Sequence, residues 1–334
     1  MTGVDRLQSI GILRTGSPSR GFSYRRTDGR GITAEDLTRI RKLRLPPAWT
    51  NVAINPSANG RLQAIGLDAA GRWQYIYHES HTRTQELQKF RRLNLFIQDL
   101  PTMRVTVAAH LRQPGLGRER ILACILRILS TCFLRPGSEC YVTENGSYGI
   151  ATLKPKHVTV TGDLIRFDFP GKSGVRQYRE LRDRQVARVL RSLLKCRKSE
   201  VFKYQDENGE FVDVKRQHIN DYIKEVMGES FSAKDFRTWA GTLVCACALA
   251  RSGVAEDEPS LLRKKKIVAA IKETSHALGN TPSVCRSSYI FPGVIAHFEK
   301  GKTIDKYFAS LDDFLSYRGN RLHPAEKSLL RLLR

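Results

Sequence analysis

The chain has no C-x-x-C pair, no H-E-x-x-H pattern and few acids: 33 Asp and Glu stand against 56 Lys and Arg in 334 residues. Each shortage excludes something. Seven cysteines, an odd number without paired spacing, argue against a disulfide framework and against a zinc ribbon; Cys124, Cys132, Cys140, Cys196, Cys245, Cys247 and Cys285 read as small apolar residues. The longest strongly apolar, uncharged stretch is Trp239 to Ala250, twelve residues, against the roughly 20 that a spanning helix needs. No scattered carboxylate set suggests two-metal chemistry, and Glu256, Asp257 and Glu258 before Pro259 read as a solvated loop. The first residues lack a continuous apolar core of the secretory type, so the expected location is cytoplasmic.

What remains is ample. At 41% hydrophobic and 27% charged, the chain can build one large or two ordinary domains, which excludes a disordered tail and a disulfide-stapled miniprotein. A net charge of +23 is self-repulsive and points to a polyanionic partner. Nucleic acid leads; an anionic membrane surface is the alternative. With DNA as the partner, the location sharpens to nucleoid-associated.

Along the chain, residues 1–30 carry six Arg against two Asp among Gly and Ser, and read as a flexible basic arm. Thr33-Ala34-Glu35-Asp36 opens a helix that ends at Pro46-Pro47. Short strands follow around Val52–Ile54, Leu62–Leu67 and Trp73–Tyr77, giving a small β-rich domain over 31–90. From Ser80 the texture is helical. A larger, mainly α-helical domain over 91–334 contains a long helix at Arg118–Cys132. A strand cluster is expected at Tyr141–Thr143, Tyr148–Leu153, Val158–Thr161, Leu164–Phe169 and Val175–Tyr178, with helices resuming after it. The fold class is α+β.

Gly171-Lys172-Ser173 is not a P-loop, because the position five residues before Gly171 is Arg166 and a hairpin precedes it. More telling is an ordered set of basic residues ending in a tyrosine. Arg135 follows an apolar helix in Phe133-Leu134-Arg135-Pro136-Gly137, and Lys172 sits at a hairpin tip. Lys234-Asp235-Phe236-Arg237 opens the uncharged helix, Asn280 lies in Leu278-Gly279-Asn280-Thr281-Pro282, and Tyr289 ends Ser287-Ser288-Tyr289. Singly these are a helix-end cation, a turn lysine, a core ion pair, a cap and a core tyrosine.

Together they resemble the type IB DNA topoisomerases, specifically the small poxvirus-like and bacterial branch, over nearly the whole chain. Leu45-Pro46-Pro47-Ala48-Trp49, Leu62-Gln63-Ala64-Ile65-Gly66 and Gly71-Arg72-Trp73-Gln74-Tyr75-Ile76-Tyr77-His78 resemble that branch's N-terminal clamp domain. The resemblance implies a monomer that clamps duplex DNA without an obligatory protein partner. It implies relaxation of supercoils by transient single-strand cleavage, rotation and religation, without ATP or metal. Tyr289 would be the nucleophile that forms a 3′-phosphotyrosine. Arg135 and Arg237 would grip the non-bridging oxygens, and Lys172 would protonate the leaving 5′-oxygen, supported by Lys234. Asn280 stands where most members carry His and some bacterial members carry Asn. An amide can donate a hydrogen bond to a non-bridging oxygen but cannot carry a proton.

DNA contact is implied for Gln74, Tyr75, Tyr77 and Tyr141, and Arg83, Lys89, Arg91 and Arg92 read as phosphate contacts on a helix face. Two alternatives stay open. A tyrosine recombinase or integrase shares the fold but usually shows H-x-x-R where this chain has K-x-x-R. A non-catalytic basic DNA binder would have no reason to keep Tyr289 and every cation.

Overall fold

The structure, a computed structural model, describes residues 2–196, 199–255 and 257–333, with the side chains of Arg83, Glu86 and Phe90 left aside. The chain forms two compact units, 1–89 and 90–334.

The first unit contains α1 (Gly3–Ile10), β1 (Ile12–Ser17), β2 (Gly21–Arg26), α2 (Ala34–Lys42), β3 (Thr50–Ile54), β4 (Leu62–Leu67) and β5 (Trp73–Tyr77). Its strands make one antiparallel sheet in the order β2-β1-β3-β4-β5. Alternate residues supply two apolar faces. Ile12, Val52, Ile54 and Ala64 pack with Ile40 of α2, while Ala53 and Ile65 pack with Leu7 of α1. A capping box between Thr33 and Asp36 starts α2.

Residues 1–30 are therefore not a flexible arm. Strand β1 is internal to the sheet, and Ile12 is fully buried. Two of the arginines of this segment are anchored. Arg14 donates to the Pro46 carbonyl at 3.1 Å and to the Trp49 carbonyl at 2.5 Å, and Arg26 pairs with Asp36 at 3.2 Å. A charge count conceals such structural arginines.

Helix α3 (Glu79–Arg112) contains the chain position that divides the units. The second unit continues with α4 (Arg118–Cys132), α5 (Glu139–Asn145), β6 (Val158–Thr161), β7 (Leu164–Pro170), β8 (Arg176–Arg182) and α6 (Arg184–Lys195). The hairpin β9 (Lys203–Gln205) and β10 (Phe211–Asp213) follows, then α7 (Arg216–Met227), α8 (Ala233–Ser252) and α9 (Ser260–Leu278). The short turn α10 (Pro282–Val284) leads into a π-helical turn at Cys285–Tyr289, and α11 (Pro292–Glu299), α12 (Leu311–Leu315) and α13 (Pro324–Leu332) complete the fold. Among the described residues no helix is long and apolar enough to cross a membrane. The apolar stretch seen in the sequence is instead buried all round: α8 lies in the core with α4, and Trp239, Phe96, Phe133 and Phe236 are among its largest enclosed side chains.

The strand cluster is smaller than expected, an antiparallel meander β6-β7-β8. Tyr141–Thr143 is helical, in α5, closed by the left-handed Gly146. Tyr148–Leu153 holds only a short 3-10 turn at Ile150–Thr152. Tyr148 N–H still reaches the end of β7, donating to the Pro170 carbonyl at 2.9 Å, but the backbone then turns to the preceding loop: Ile150 N–H donates to the Arg135 carbonyl and Ala151 N–H to Pro136, both at 2.9 Å. Those bonds fix the loop that carries Arg135.

Candidate active site

Helix α4 ends at Phe133, a buried, bulky residue in the left-handed region (φ 54°). Such a backbone costs about 1–3 kcal/mol and persists only where its surroundings over-determine it. Here the Phe133 ring packs edge-on against Trp239 at 6.2 Å, and its carbonyl accepts from Arg237 Nη1. The reversal turns the chain so that Leu134 is buried while the next side chain, Arg135, reaches Tyr289 and Asn280.

Arg237 is 3% exposed. Besides Phe133 it bonds the Leu278 carbonyl at the end of α9, at 3.0 Å, and its guanidinium carbon lies 4.8 Å from the centre of the Tyr289 ring. It therefore ties α4, α8, α9 and the tyrosine turn to one point. The acid of K-D-F-R is directed elsewhere: Asp235 receives Nε and Nη2 of Arg92, each at 2.7 Å, and the Ser232 backbone N–H.

Tyr289 is half-buried, with its hydroxyl in hydrogen-bonding reach of Arg135 and Arg237. Burial alone would raise its pKa. The cations Arg237, Arg135 and Lys234 outweigh burial, and the phenol ionises below its ordinary 10.0. Burial and the like charge of Arg237 push Arg135 down to about 10, still a cation at neutral pH. Arg135 Nη2 donates to Asn280 Oδ1. Among the described residues two buried donors at this centre, Arg237 Nε and Asn280 Nδ2, have no hydrogen-bond partner beyond the Cys285 sulfur, a weak acceptor beside Asn280. Crowded like charges with orphaned N–H groups form a cradle for an anion. Among the described residues no cluster of three or more His, Cys, Asp or Glu could hold a metal ion.

The structure thus gathers Arg135, Arg237, Asn280 and Tyr289, with the exposed Lys234 contributing charge one helical turn from Arg237. Lys172 stands apart from these contacts. It is exposed at the β7–β8 turn, beside Ser173 in a left-handed conformation (φ 61°), and its side chain has no hydrogen bond or ion pair among the described residues.

Sequence reading missed the seat of the tyrosine. A Cβ on Gly241 would come within 2.9 Å of the Tyr289 carbonyl oxygen and 3.0 Å of its Cβ. The neighbouring Thr242 hydroxyl shares its one proton between the Thr238 carbonyl at 2.7 Å and the Tyr289 carbonyl at 3.2 Å, and it accepts the Phe291 N–H at 3.1 Å. Gly and Thr inside an apolar helix were the available signal.

The remaining expected DNA contacts divide. On edge strand β5, Tyr75 and Tyr77 are both exposed and stacked at 6.3 Å, while Gln74 donates to Asp68 at 2.8 Å. Tyr141 is exposed, on a helix rather than a strand. Arg91 is exposed and Lys89 half-buried; the Arg83 side chain lies outside the described residues. Arg92 pairs with Asp235 at 2.7 Å while its side chain stays partly exposed.

Most of the chain is similar to known proteins. Residues 78–313 match the family described as "Eukaryotic DNA topoisomerase I, catalytic core", and residues 21–68 match "Bacterial DNA topoisomerase IB, N-terminal domain". The chain is 34% identical over 287 residues to the DNA topoisomerase 1B of Acanthamoeba polyphaga mimivirus, covering 84% of this chain and 85% of the relative. It is 24% identical over 282 residues to that of Vaccinia virus (strain Copenhagen), covering 83% and 87%.

Proposed function

The chain belongs to the type IB DNA topoisomerase family, and on that premise we propose how its own residues carry the reaction. Tyr289 Oη, which gives its proton to solvent because the surrounding cations favour the phenolate, attacks a backbone phosphorus; the Oη–P bond forms, the P–O5′ bond breaks, and the strand is held as a 3′-phosphotyrosine. Arg135 and Arg237 receive the non-bridging oxygens, where charge develops, and the orphaned Asn280 amide donates a further hydrogen bond. Lys172 gives its proton to the departing 5′-oxygen. Religation runs the same steps backwards, because the phosphotyrosine keeps the bond energy of the broken linkage. Rotation between the two steps relaxes the duplex.

The observation that carries this reading is the Tyr289 hydroxyl lying beside the Arg135 and Arg237 guanidiniums, with Arg237 Nε and Asn280 Nδ2 lacking a nitrogen or oxygen partner among the described residues. The net charge of +23 supports duplex DNA as the polyanion. We take the enzyme to act as a monomer clamping DNA, in the cytoplasm at the nucleoid, with exposed Tyr75 and Tyr77 meeting the duplex. Relaxation of a supercoiled plasmid in EDTA, without accessory protein, tests the reading. Denaturation during turnover should trap a covalent adduct on the 3′ side of the break. No relaxation, or an adduct on the 5′ side, would overturn it.

A further inference from the structure

The proton donor and the anion cradle lie on different segments, and one buried side chain between them belongs to neither motif. Gln177, in β8, is 4% exposed. Its Nε2 donates to the Val175 carbonyl at 3.2 Å, the same carbonyl that accepts the Gly171 N–H at 2.9 Å and closes the turn carrying Lys172. Its side chain also fills the space in front of two glycines. A Cβ on Gly171, the residue before Lys172, would lie 2.7 Å from Gln177 Cγ. A Cβ on Gly279, the residue before Asn280, would lie 2.6 Å from Gln177 Nε2. Gly279 is left-handed (φ 59°), so it is glycine for its backbone and also for this approach. Two residues along β8, Arg179 Nη2 reinforces the contact by bonding the His276 and Ala277 carbonyls at 3.3 and 3.1 Å, at the end of α9.

We propose that Gln177 is a positioning residue that locks the Lys172 turn onto the Gly279-Asn280 segment and so aims the proton donor at the phosphate held by the cradle. It touches no reacting atom. The need is physical: Lys172 is exposed and has no hydrogen bond or ion pair among the described residues, so those contacts do not aim it. A misplacement of about 1 Å in a reacting group can cost about 10²-fold. The proposal rests on Lys172 being the proton donor.

The test uses short duplexes with one mapped cleavage site, carrying either the natural 5′-oxygen or a bridging 5′-sulfur as leaving atom. A thiol has a pKa of about 8.5 and departs as thiolate without a proton, whereas an alkoxide needs one. In single turnover, Gln177→Ala should cleave the oxygen substrate about 10- to 100-fold more slowly than the native enzyme. On the sulfur substrate it should match the native rate, with unchanged DNA affinity. Gln177→Met keeps the volume between the glycines but loses the bond to Val175. It should fold as the native protein does and show a smaller defect, again confined to oxygen. An equal defect on both substrates, or none on oxygen, overturns the positioning role. Lys172→Ala, run beside them, should lose cleavage of the oxygen substrate and recover it on sulfur. If it does not recover, the proton-donor reading falls and takes this proposal with it. If Lys172→Ala recovers and Gln177→Ala does not, only the positioning role is wrong.

Discussion

Arg237 and Lys172 are both cations of the proposed site, yet they are held in opposite ways. Arg237 is sealed in the core, with two carbonyls and the Tyr289 ring as fixed partners. Lys172 is exposed on a turn, and its ammonium has no partner among the described residues. A group that stabilises charge works best when it is preorganised and dry. A group that must transfer a proton has to reach its target, and it needs orientation from its base rather than from its tip. The same contrast separates residues whose loss damages fold and chemistry together from those whose loss damages chemistry alone.

The largest effect belongs to the atom both serve. Tyr289→Phe should abolish cleavage and relaxation while duplex binding stays near native, because only the nucleophilic oxygen is removed; relaxation at the native rate would remove Tyr289 from its role. Next come the two cations themselves. Arg237→Ala should slow single-turnover cleavage by about 10³-fold. It should also lower thermal stability, since it strands the buried Phe133 and Leu278 carbonyls at about 1–3 kcal/mol each. Lys172→Ala should slow cleavage of natural DNA by about 10²-fold or more and leave the melting temperature unchanged. Equal losses of stability in the two variants would erase the distinction.

Asn280→Ala should cost roughly 10²-fold in cleavage, whereas Asn280→His should keep substantial activity, because an imidazole N–H can donate from the same place. An Ala variant that is less stable but cleaves at the native rate would leave Asn280 as a cap only. Thr242→Val removes the hydroxyl that pins both sides of the tyrosine turn and should slow cleavage by about 10-fold through misplacement, with DNA affinity kept and Thr242→Ser restoring the rate. The smallest effect is a shift along the pH axis. Tyr289 ionises below 10.0 because cations favour the phenolate, so cleavage should rise with pH and level off before pH 10. Lys234→Ala removes one of those cations, raises the tyrosine pKa and should move the plateau to higher pH; an unmoved plateau would place Lys234 outside the field felt by Tyr289.

Much of this contrast was legible in the sequence, and the rest was hidden for identifiable reasons. Arg135, Lys172, Arg237, Asn280 and Tyr289 could be proposed because their order along the chain resembles a known family's set, although singly each has a bland reading. Gln177 could not, and Gly241 and Thr242 showed only as a Gly-Thr pair inside an apolar helix, with nothing to say what they meet. Their partners lie far away in the chain: Gly279 meets Gln177, and Tyr289 meets Gly241 and Thr242. No local periodicity reports such pairs. Tyr141–Thr143 looked like a strand from its Tyr and Val, but Gly146 closes that segment as a helix. The N-terminal segment looked like a flexible arm because composition cannot show that Arg14 holds the Pro46 and Trp49 carbonyls.

The unpartnered donors around Tyr289 also have a thermodynamic consequence. Without an anion, the protein holds Arg135 and Arg237 against each other's repulsion, with Arg237 Nε and Asn280 Nδ2 unsatisfied. Any anion that enters relieves a cost that folding has already incurred, and by linkage it stabilises the folded state by RT ln(1 + [L]/Kd). The free enzyme is therefore its own least stable form. Sulfate or phosphate should raise the melting temperature of the native protein beyond their general salting effect. That increment should shrink in Arg135→Ala, where the repulsion has already been removed.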